Sequence, residues 1–360
     1  MEVRRGMMSK TGDLSGSERE FDFLCVDDFM ERMIDSRALA TAFEIGLIDS
    51  LARDGKATTE SLAETIRTDS RGLHFLIDLL LTNGVVELNN GSIALTPAFV
   101  KALRFRDLME IKLSISNFAA HDFLEFFTDL VAAPDQFMSK ARFHRLFAYD
   151  RCFSFSQEDR RITEQWMRIT TVLTKYEARA CLKYHDFSAY GRMLDIGGNS
   201  GEFVLQLCRE HSDLHAAVFD LPLVCDVGRN HLAGEPERSR IDFVTGNAAT
   251  DDLPGGFDLV TFKSMLHDWP DDLARDLMKK GARALEPGGA MVIFERAAYV
   301  PGALSPGHSI LPFLIFFHSY RASDFYVRYL EELGFSNIES RIINLEMPFI
   351  LVTGVRGDGG

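Results

Sequence analysis

The chain has 360 residues, of which 46% are hydrophobic and 26% charged, and a formal net charge of −14. That length accommodates two domains with packed cores, and the acidic balance excludes a nucleic-acid partner, since binding a polyanion depends on Lys and Arg neutralising phosphates. The first seventeen residues hold no apolar run, so neither signal peptide nor membrane span is expected and the protein reads as cytoplasmic; Cys25, Cys152, Cys181, Cys208 and Cys225 are scattered outside CxxC spacing, which leaves no disulfide framework or metal site to expect. Residues 1–20 read as a flexible polar tail. From Phe29 to Leu51 apolar residues recur at helical spacing, broken at Gly46 and ended by the "RDGKA" turn. "TTESLAETIRT" predicts a short helix capped by Thr58 or Thr59 with Glu60 in its first turn. Asp69 or Ser70 caps a third, "RGLHFLIDLLLTNG", which closes at Asn83 and Gly84. "VVELNNGSIALT" alternates around Asn90-Gly91, the signature of a two-residue hairpin.

Three helices and a hairpin make a winged helix, here over residues 21–104. Its third helix carries Asp78 and, as a firm cation, only Arg71, so packing or dimerisation is expected in place of DNA reading. The first helices carry more apolar surface than one copy buries, which predicts a homodimer. Residues 105–190 read as a helical linker rich in aromatics, among them Phe123, Phe143, Phe147 and Trp166; most are core, and some are expected to line an apolar pocket.

From Arg192 the pattern becomes α/β. "RMLDIGG", "HAAVFD", "IDFVTGN", "FDLVTFK" and "AMVIFER" read as buried parallel strands with helices between them. After the helix "SDFYVRYLEELGF", "SNIESRIINL" and "PFILVTGVR" are joined by so short a turn that they must pair antiparallel. The loop after the first strand runs Asp195, Ile196, Gly197, Gly198, Asn199, Ser200, Gly201. A dinucleotide fingerprint needs GxGxxG, and Ile196 stands at its first glycine. The strand ends on a carboxylate that would repel a phosphate, so the corner suits a ligand with cationic character. Asp220, at the end of the second strand, is placed to accept both hydroxyls of a ribose, or else to cap the following helix.

Taken with "VFDLP" and with "TFKSMLHDWPDD" after the fourth strand, these features resemble, from Met33 to Arg356, the small-molecule O-methyltransferases that join a winged-helix dimerisation domain to a class I S-adenosylmethionine-binding domain. Plant caffeate, acetylserotonin and bacterial natural-product enzymes are of this type. The resemblance implies a Rossmann-like class I methyltransferase domain over 191–360 and S-adenosyl-L-methionine as cofactor. Asp195 would face its cationic groups, Gly197, Gly198 and Gly201 would admit its methionine tail, and Asp220 with Leu221 would hold the ribose. Asn247 and Ala248 would flank the adenine, with Lys263 and Trp269 as the other wall. The family usually has Asp and a bulky apolar residue at the first two of these positions; Asn still accepts a hydrogen bond, while Ala248 leaves a gap.

By the same resemblance His267 is the general base that removes the acceptor's proton. Glu295, in "FERAAY", is the carboxylate that fixes its tautomer, and Asp268 is read as the cap of the next helix. In "FFHSYRASDF" Tyr320 stands where the family carries a second carboxylate and His318 where a glycine is usual, which leaves His267 one orienting partner. "SILPFLIFF" is almost wholly apolar. The expected acceptor is therefore a hydrophobic, aromatic or polyketide-like small molecule, with Met167, Thr171, Phe313, Phe316, Phe317 and Tyr320 as candidate walls. Methylation of carbon or nitrogen, or chemistry without methyl transfer, is the alternative on the same fold. A ligand-sensing regulator lacks the basic helix it needs, and a nicotinamide dehydrogenase lacks GxGxxG.

Overall fold

The computed structural model describes residues 20–302 and 307–357; the tail read in residues 1–20 falls, apart from Glu20, outside the described residues. Gly46 takes φ 78° between α1 (Met33–Glu44) and α2 (Leu47–Asp54), a left-handed corner that divides one apolar stretch into two helices. The cap alternatives are settled by hydrogen bonds. Thr58 accepts from Ser61 N to start α3 (Thr59–Ile66), and Asp69 accepts from Arg71 and Gly72 N to start α4 (Ser70–Thr82). The two-residue strand β1 (Lys56–Ala57), which the turn-like "RDGKA" does not announce, joins the edge of the hairpin formed by β2 (Val86–Asn89) and β3 (Ser92–Leu95). Asn90 and Gly91 both have positive φ, 51° and 78°, as a tight hairpin turn requires.

α5 (Pro97–Ala102) leads into the long α6 (Arg106–Ala132), and α7 (Pro134–Lys140) and two 3-10 turns, Phe143–Phe147 and Tyr149–Phe153, lead into α8 (Gln157–Tyr184). The buried Lys112 of α6 donates to both carboxylate oxygens of Asp27, at 2.9 and 2.8 Å, and so ties the first described turn of the chain to the centre of the molecule. One continuous apolar cluster runs through these helices to one face of the C-terminal sheet; a second fills the opposite face.

The sheet comprises β4 (Arg192–Ile196), β5 (His215–Asp220), β6 (Ile241–Thr245), β7 (Phe257–Lys263), β8 (Leu285–Arg296), β9 (Phe335–Asn344) and β10 (Pro348–Arg356), in the spatial order β6-β5-β4-β7-β8-β10-β9. The strands from β4 to β8 are parallel, and β10 enters antiparallel between β8 and β9. Around the sheet lie α9 (Glu202–Glu210), α10 (Pro222–His231), α11 (Asp271–Ala284), α12 (Leu311–Leu314) and α13 (Ser323–Glu332). The order reverses at β4, so the loops after β4, β5 and β7 open a crevice at their carboxyl ends, where such sheets take their ligands.

α8 is latched over that crevice. The Thr170 hydroxyl donates to Asn199 Oδ1 at 3.1 Å and that of Thr171 to Ser200 Oγ at 2.7 Å, so the glycine loop is tied to the helix above it. From beneath, α10 approaches the same loop at Gly228, where a Cβ would lie 2.4 Å from the Phe243 ring and 3.2 Å from Asn199 O. Gly228→Ala is therefore expected to destabilise the protein by about 1–3 kcal/mol through overpacking. Chemical denaturation measures this, and an unchanged midpoint would show that the loop has slack.

Candidate active site

A cavity of about 330 Å³ lies over the crevice, between the glycine loop, the loops after β5, β6 and β7, and the wall made by α8 and the two 3-10 turns. Asp195, Gly197, Gly198, Asp220, Leu221, Asn247, Ala248, Lys263 and Trp269 all line it. Both glycines are needed there. A Cβ on Gly197 would fall 2.5 Å from Met265 Cγ, and one on Gly198 would fall 2.6 Å from Asp195 Oδ2. Gly201, grouped with them from sequence, does not reach the cavity. With φ 77° it begins α9, and its missing side chain admits Leu232 and Phe243 behind the loop.

Two carboxylates stand at this end. Asp195 is fully buried and accepts from the Thr261 hydroxyl at 2.5 Å. Burial pushes its carboxyl up to about 7, opposed by Thr261 and Lys263 and reinforced by Asp220. Asp220 accepts from Asn199 N at 2.8 Å and from Leu221 N at 2.7 Å, and burial raises it to about 6. The alternative role as a helix cap falls away, because Leu221 holds the N-cap position of α10 and Asp220 bonds no later N–H of that helix.

Lys263 lines the cavity, yet its ammonium is engaged by Glu177 and by Thr174 Oγ1 at 2.8 Å, both on α8. Glu177 also accepts from Arg296 at 2.5 Å, which makes it a buried bridge between α8, β7 and β8. The loop after β6 is held from below by Lys280, which donates to the carbonyls of Ala248, Ala249 and Asp251 at 2.7, 3.1 and 2.9 Å. Asn247 Oδ1 accepts from Ala249 N at 3.0 Å, so part of the accepting capacity read from sequence is spent on the loop itself. Trp269 Nε1 is buried without a hydrogen-bond partner among the described residues.

At the other end His267 sits on the 3-10 turn Leu266–Asp268. Glu295, fully buried at the end of β8, accepts from Met265 N at 2.8 Å, from Leu266 N at 2.7 Å and from His267 Nδ1 at 2.6 Å. A carboxylate can only accept, so Nδ1 carries the hydrogen and Nε2 keeps its lone pair. The Tyr320 ring lies edge-on to the imidazole at 5.1 Å, and its hydroxyl donates to Phe313 O at 2.9 Å.

Asp268 corrects the sequence reading. The N-cap of α11 is Pro270, without a side-chain bond, whereas Asp268 lines the cavity with Oδ1 3.4 Å from His267 Nε2 and Oδ2 accepting from the Tyr149 hydroxyl at 2.6 Å. The imidazole thus has a second carboxylate beside it, supplied by its own turn. Burial pulls the imidazole down, but Glu295 and Asp268 outweigh it, and His267 stands above the ordinary histidine value. Burial raises Asp268, against His267 and Tyr149.

Of the candidate acceptor walls, Phe313, Phe316 and Tyr320 line the cavity and Met167, Thr171 and Phe317 do not. Met167 turns into the core, while its neighbour Trp166 takes the wall. Thr171 is spent on Ser200, and Thr170 lines instead. Phe317 packs on Tyr299, with centroids 6.1 Å apart. Phe143, Phe147, Tyr149 and Trp166, with the aliphatic Leu173, complete an apolar, mostly aromatic enclosure.

Comparison with known proteins places the chain in a family. An O-methyltransferase domain is matched over residues 127–336 and an O-methyltransferase dimerisation domain over 28–98. The chain is 28% identical to the N,N-dimethyltransferase OxyT of Streptomyces rimosus over 72% of this chain and 74% of that protein. It is 33% identical to the 3-hydroxy-5-methyl-1-naphthoate 3-O-methyltransferase of Streptomyces sahachiroi over 39% and 40%. Human N-acetylserotonin methyltransferase, solved in complex with SAM, superposes with a TM-score of 0.72 at 20% identity, covering 95% of this chain and 99% of that one, a likeness of fold.

Glu295→Ala would leave two backbone N–H groups and an imidazole N–H buried without acceptors. A stability loss on the order of 3 kcal/mol is expected in urea denaturation; retention of wild-type stability would mean that water replaces the carboxylate.

Proposed function

The chain belongs to the family of S-adenosylmethionine-dependent O-methyltransferases that carry a dimerisation domain, and from that membership we propose that it methylates a hydroxyl of a hydrophobic aromatic or polyketide-like small molecule, with His267 as general base. The observation that carries the proposal is the imidazole itself, held in the cavity lining by Glu295 at Nδ1, with Asp268 Oδ1 3.4 Å from Nε2.

The residues present fit the cofactor. Two desolvated carboxylates at the crevice suit its cationic groups and its ribose diol, and Gly197 and Gly198, where a Cβ would collide with Met265 and Asp195, let the loop backbone lie close-packed beneath its tail. Asp195 would face the amino group, Asp220 the ribose, and Asn247, Ala248 and Trp269 the adenine. Bound there, the cofactor supplies an electrophilic methyl group on a sulfonium. His267 Nε2 takes the acceptor's proton, and Glu295 and Asp268 stabilise the imidazolium that results. The aromatic wall excludes water and selects a flat apolar acceptor. The naphthoate-methylating relative names such an acceptor. The similarity to OxyT, named for dimethylation at nitrogen, motivates a second reading with an amine acceptor in the same site.

Screening hydroxylated aromatics and amines by product mass, with fragmentation to locate the methyl group, separates the two readings. His267→Gln keeps shape but takes no proton, so turnover of a hydroxyl acceptor is expected to fall by about 10²–10⁴ while cofactor binding holds. The base acts in its neutral form and its proton affinity is raised, so the wild-type rate is expected to rise with pH through a midpoint above the ordinary histidine value. Near-wild-type turnover in the variant, or a midpoint below that value, would remove His267 as the base.

No described helix is long and apolar enough to cross a membrane, and a cytoplasmic enzyme is the reading that suits the sequence. Ile34, Phe75, Leu88 and Val100 stand exposed on the N-terminal helices and hairpin, apolar surface for a second copy to cover. Light scattering at micromolar concentration is expected to give twice the chain mass; a monomer would contradict the dimer.

A further inference from the structure

Tyr149 opens the 3-10 turn Tyr149–Phe153 and lines the cavity from the acceptor side. Its ring packs between Trp166 and Trp269, with centroids at 5.4 and 6.0 Å. Its hydroxyl donates to Asp268 Oδ2 at 2.6 Å, and the other oxygen of that carboxylate is 3.4 Å from His267 Nε2. Burial and the Asp268 charge hold the Tyr149 phenol well above its ordinary value, so it stays a donor throughout the working pH range.

The two carboxylates beside the imidazole are held differently. Glu295 is pinned by two backbone N–H groups of the turn it shapes. Among the described residues Asp268 has a single short side-chain donor, and that donor comes from a different segment of the chain. We propose that Tyr149 is a positioning residue: by donating to Asp268 it keeps that carboxylate charged and turned toward Nε2, and so sets the proton affinity of the catalytic imidazole. The proposal rests on His267 being the base.

The groups that face this pair come from four elements. On His267 act Glu295 and Asp268, which raise it, and Arg296, which lowers it, with the neutral Tyr320 ring against its face. On Asp268 act His267, Tyr149 and His144, which favour its charge, and Glu295, which disfavours it. His144, in the turn Phe143–Phe147, is itself lowered by burial and by His318, so it adds little charge near neutrality. Tyr149 is then the neutral donor on which the Asp268 charge leans. Removing its hydroxyl makes Asp268 easier to protonate, and a protonated Asp268 no longer supports an imidazolium.

The test is an NMR titration of His267 in the full-length protein labelled at histidine and saturated with S-adenosylhomocysteine, the resonance being assigned by its loss in His267→Gln. Tyr149→Phe keeps the ring between the two tryptophans and is expected to lower the His267 midpoint by roughly half a unit or more. Asp268→Asn should lower it at least as far, and the double variant should match Asp268→Asn alone, because Tyr149 acts through Asp268. An unshifted midpoint in Tyr149→Phe, or shifts that add in the double variant, would overturn the proposal. The readout needs no acceptor: a fully active His267→Gln would sink the assignment of the base, while an unshifted titration would sink only the role of Tyr149.

Discussion

Glu295 ends β8 inside the protein, where one carboxylate accepts from Met265 N, Leu266 N and His267 Nδ1. Those bonds shape the turn after β7, select the imidazole tautomer and supply the charge that stabilises the protonated base. Strand pairing decides that the carboxylate arrives there. β7 and β8 run parallel with Lys263 opposite Phe294, so the next residue of β8 meets the backbone just past the end of β7. The antiparallel β10 then pairs Ile350 with Glu295 and closes the sheet on its other side. A terminal hairpin far from the site in sequence thus holds the residue on which the site depends.

Arg321 answers Glu295 from the opposite side of the turn. Where the carboxylate takes the turn's N–H groups, the guanidinium donates to its carbonyls, Leu266 O at 2.9 Å and Trp269 O at 2.5 Å, and to Asp271 at 2.7 Å. The backbone that carries His267 is therefore satisfied in both senses by side chains, which an irregular buried segment requires. Ser264, at φ 49°, is the left-handed residue that lets the chain leave β7 into this turn. Above, the bridge from Glu177 to Lys263 and Arg296 holds α8 to the sheet. A buried ion pair of this kind adds little net stability, and its cost is in desolvation; what it fixes here is the placement of the wall that faces the acceptor.

The parallel strands, the glycine loop and the positions of Asp195 and Asp220 are legible in the sequence because strand ends fix them, whereas His267 and Glu295 are reached only through the resemblance to a family. A residue at the carboxyl end of a buried strand points into the crevice with little freedom. The wall borne by α8 is not legible, because neighbouring residues on a helix differ by about 100° in direction, following 3.6 residues per turn. That one step separates Trp166 from Met167 and Thr170 from Thr171. Asp268 is misread for another reason: an acid two residues before a proline that leads into a helix looks like a cap, and only the Tyr149 bond and the 3.4 Å approach to His267 distinguish it. Nothing in the local sequence links Tyr149 to Asp268, since the contact is made by tertiary packing alone.

The central claim, that Glu295 presents His267 as a base with Nδ1 protonated and Nε2 free, is tested most directly by the imidazole ¹⁵N shifts of His267 at a pH above its titration midpoint. The account predicts a protonated Nδ1 and an unprotonated Nε2 in the wild type, with that preference lost in Glu295→Gln. A hydrogen on Nε2 in the wild type would contradict it, because the lone pair would then face Glu295 and none would face the acceptor.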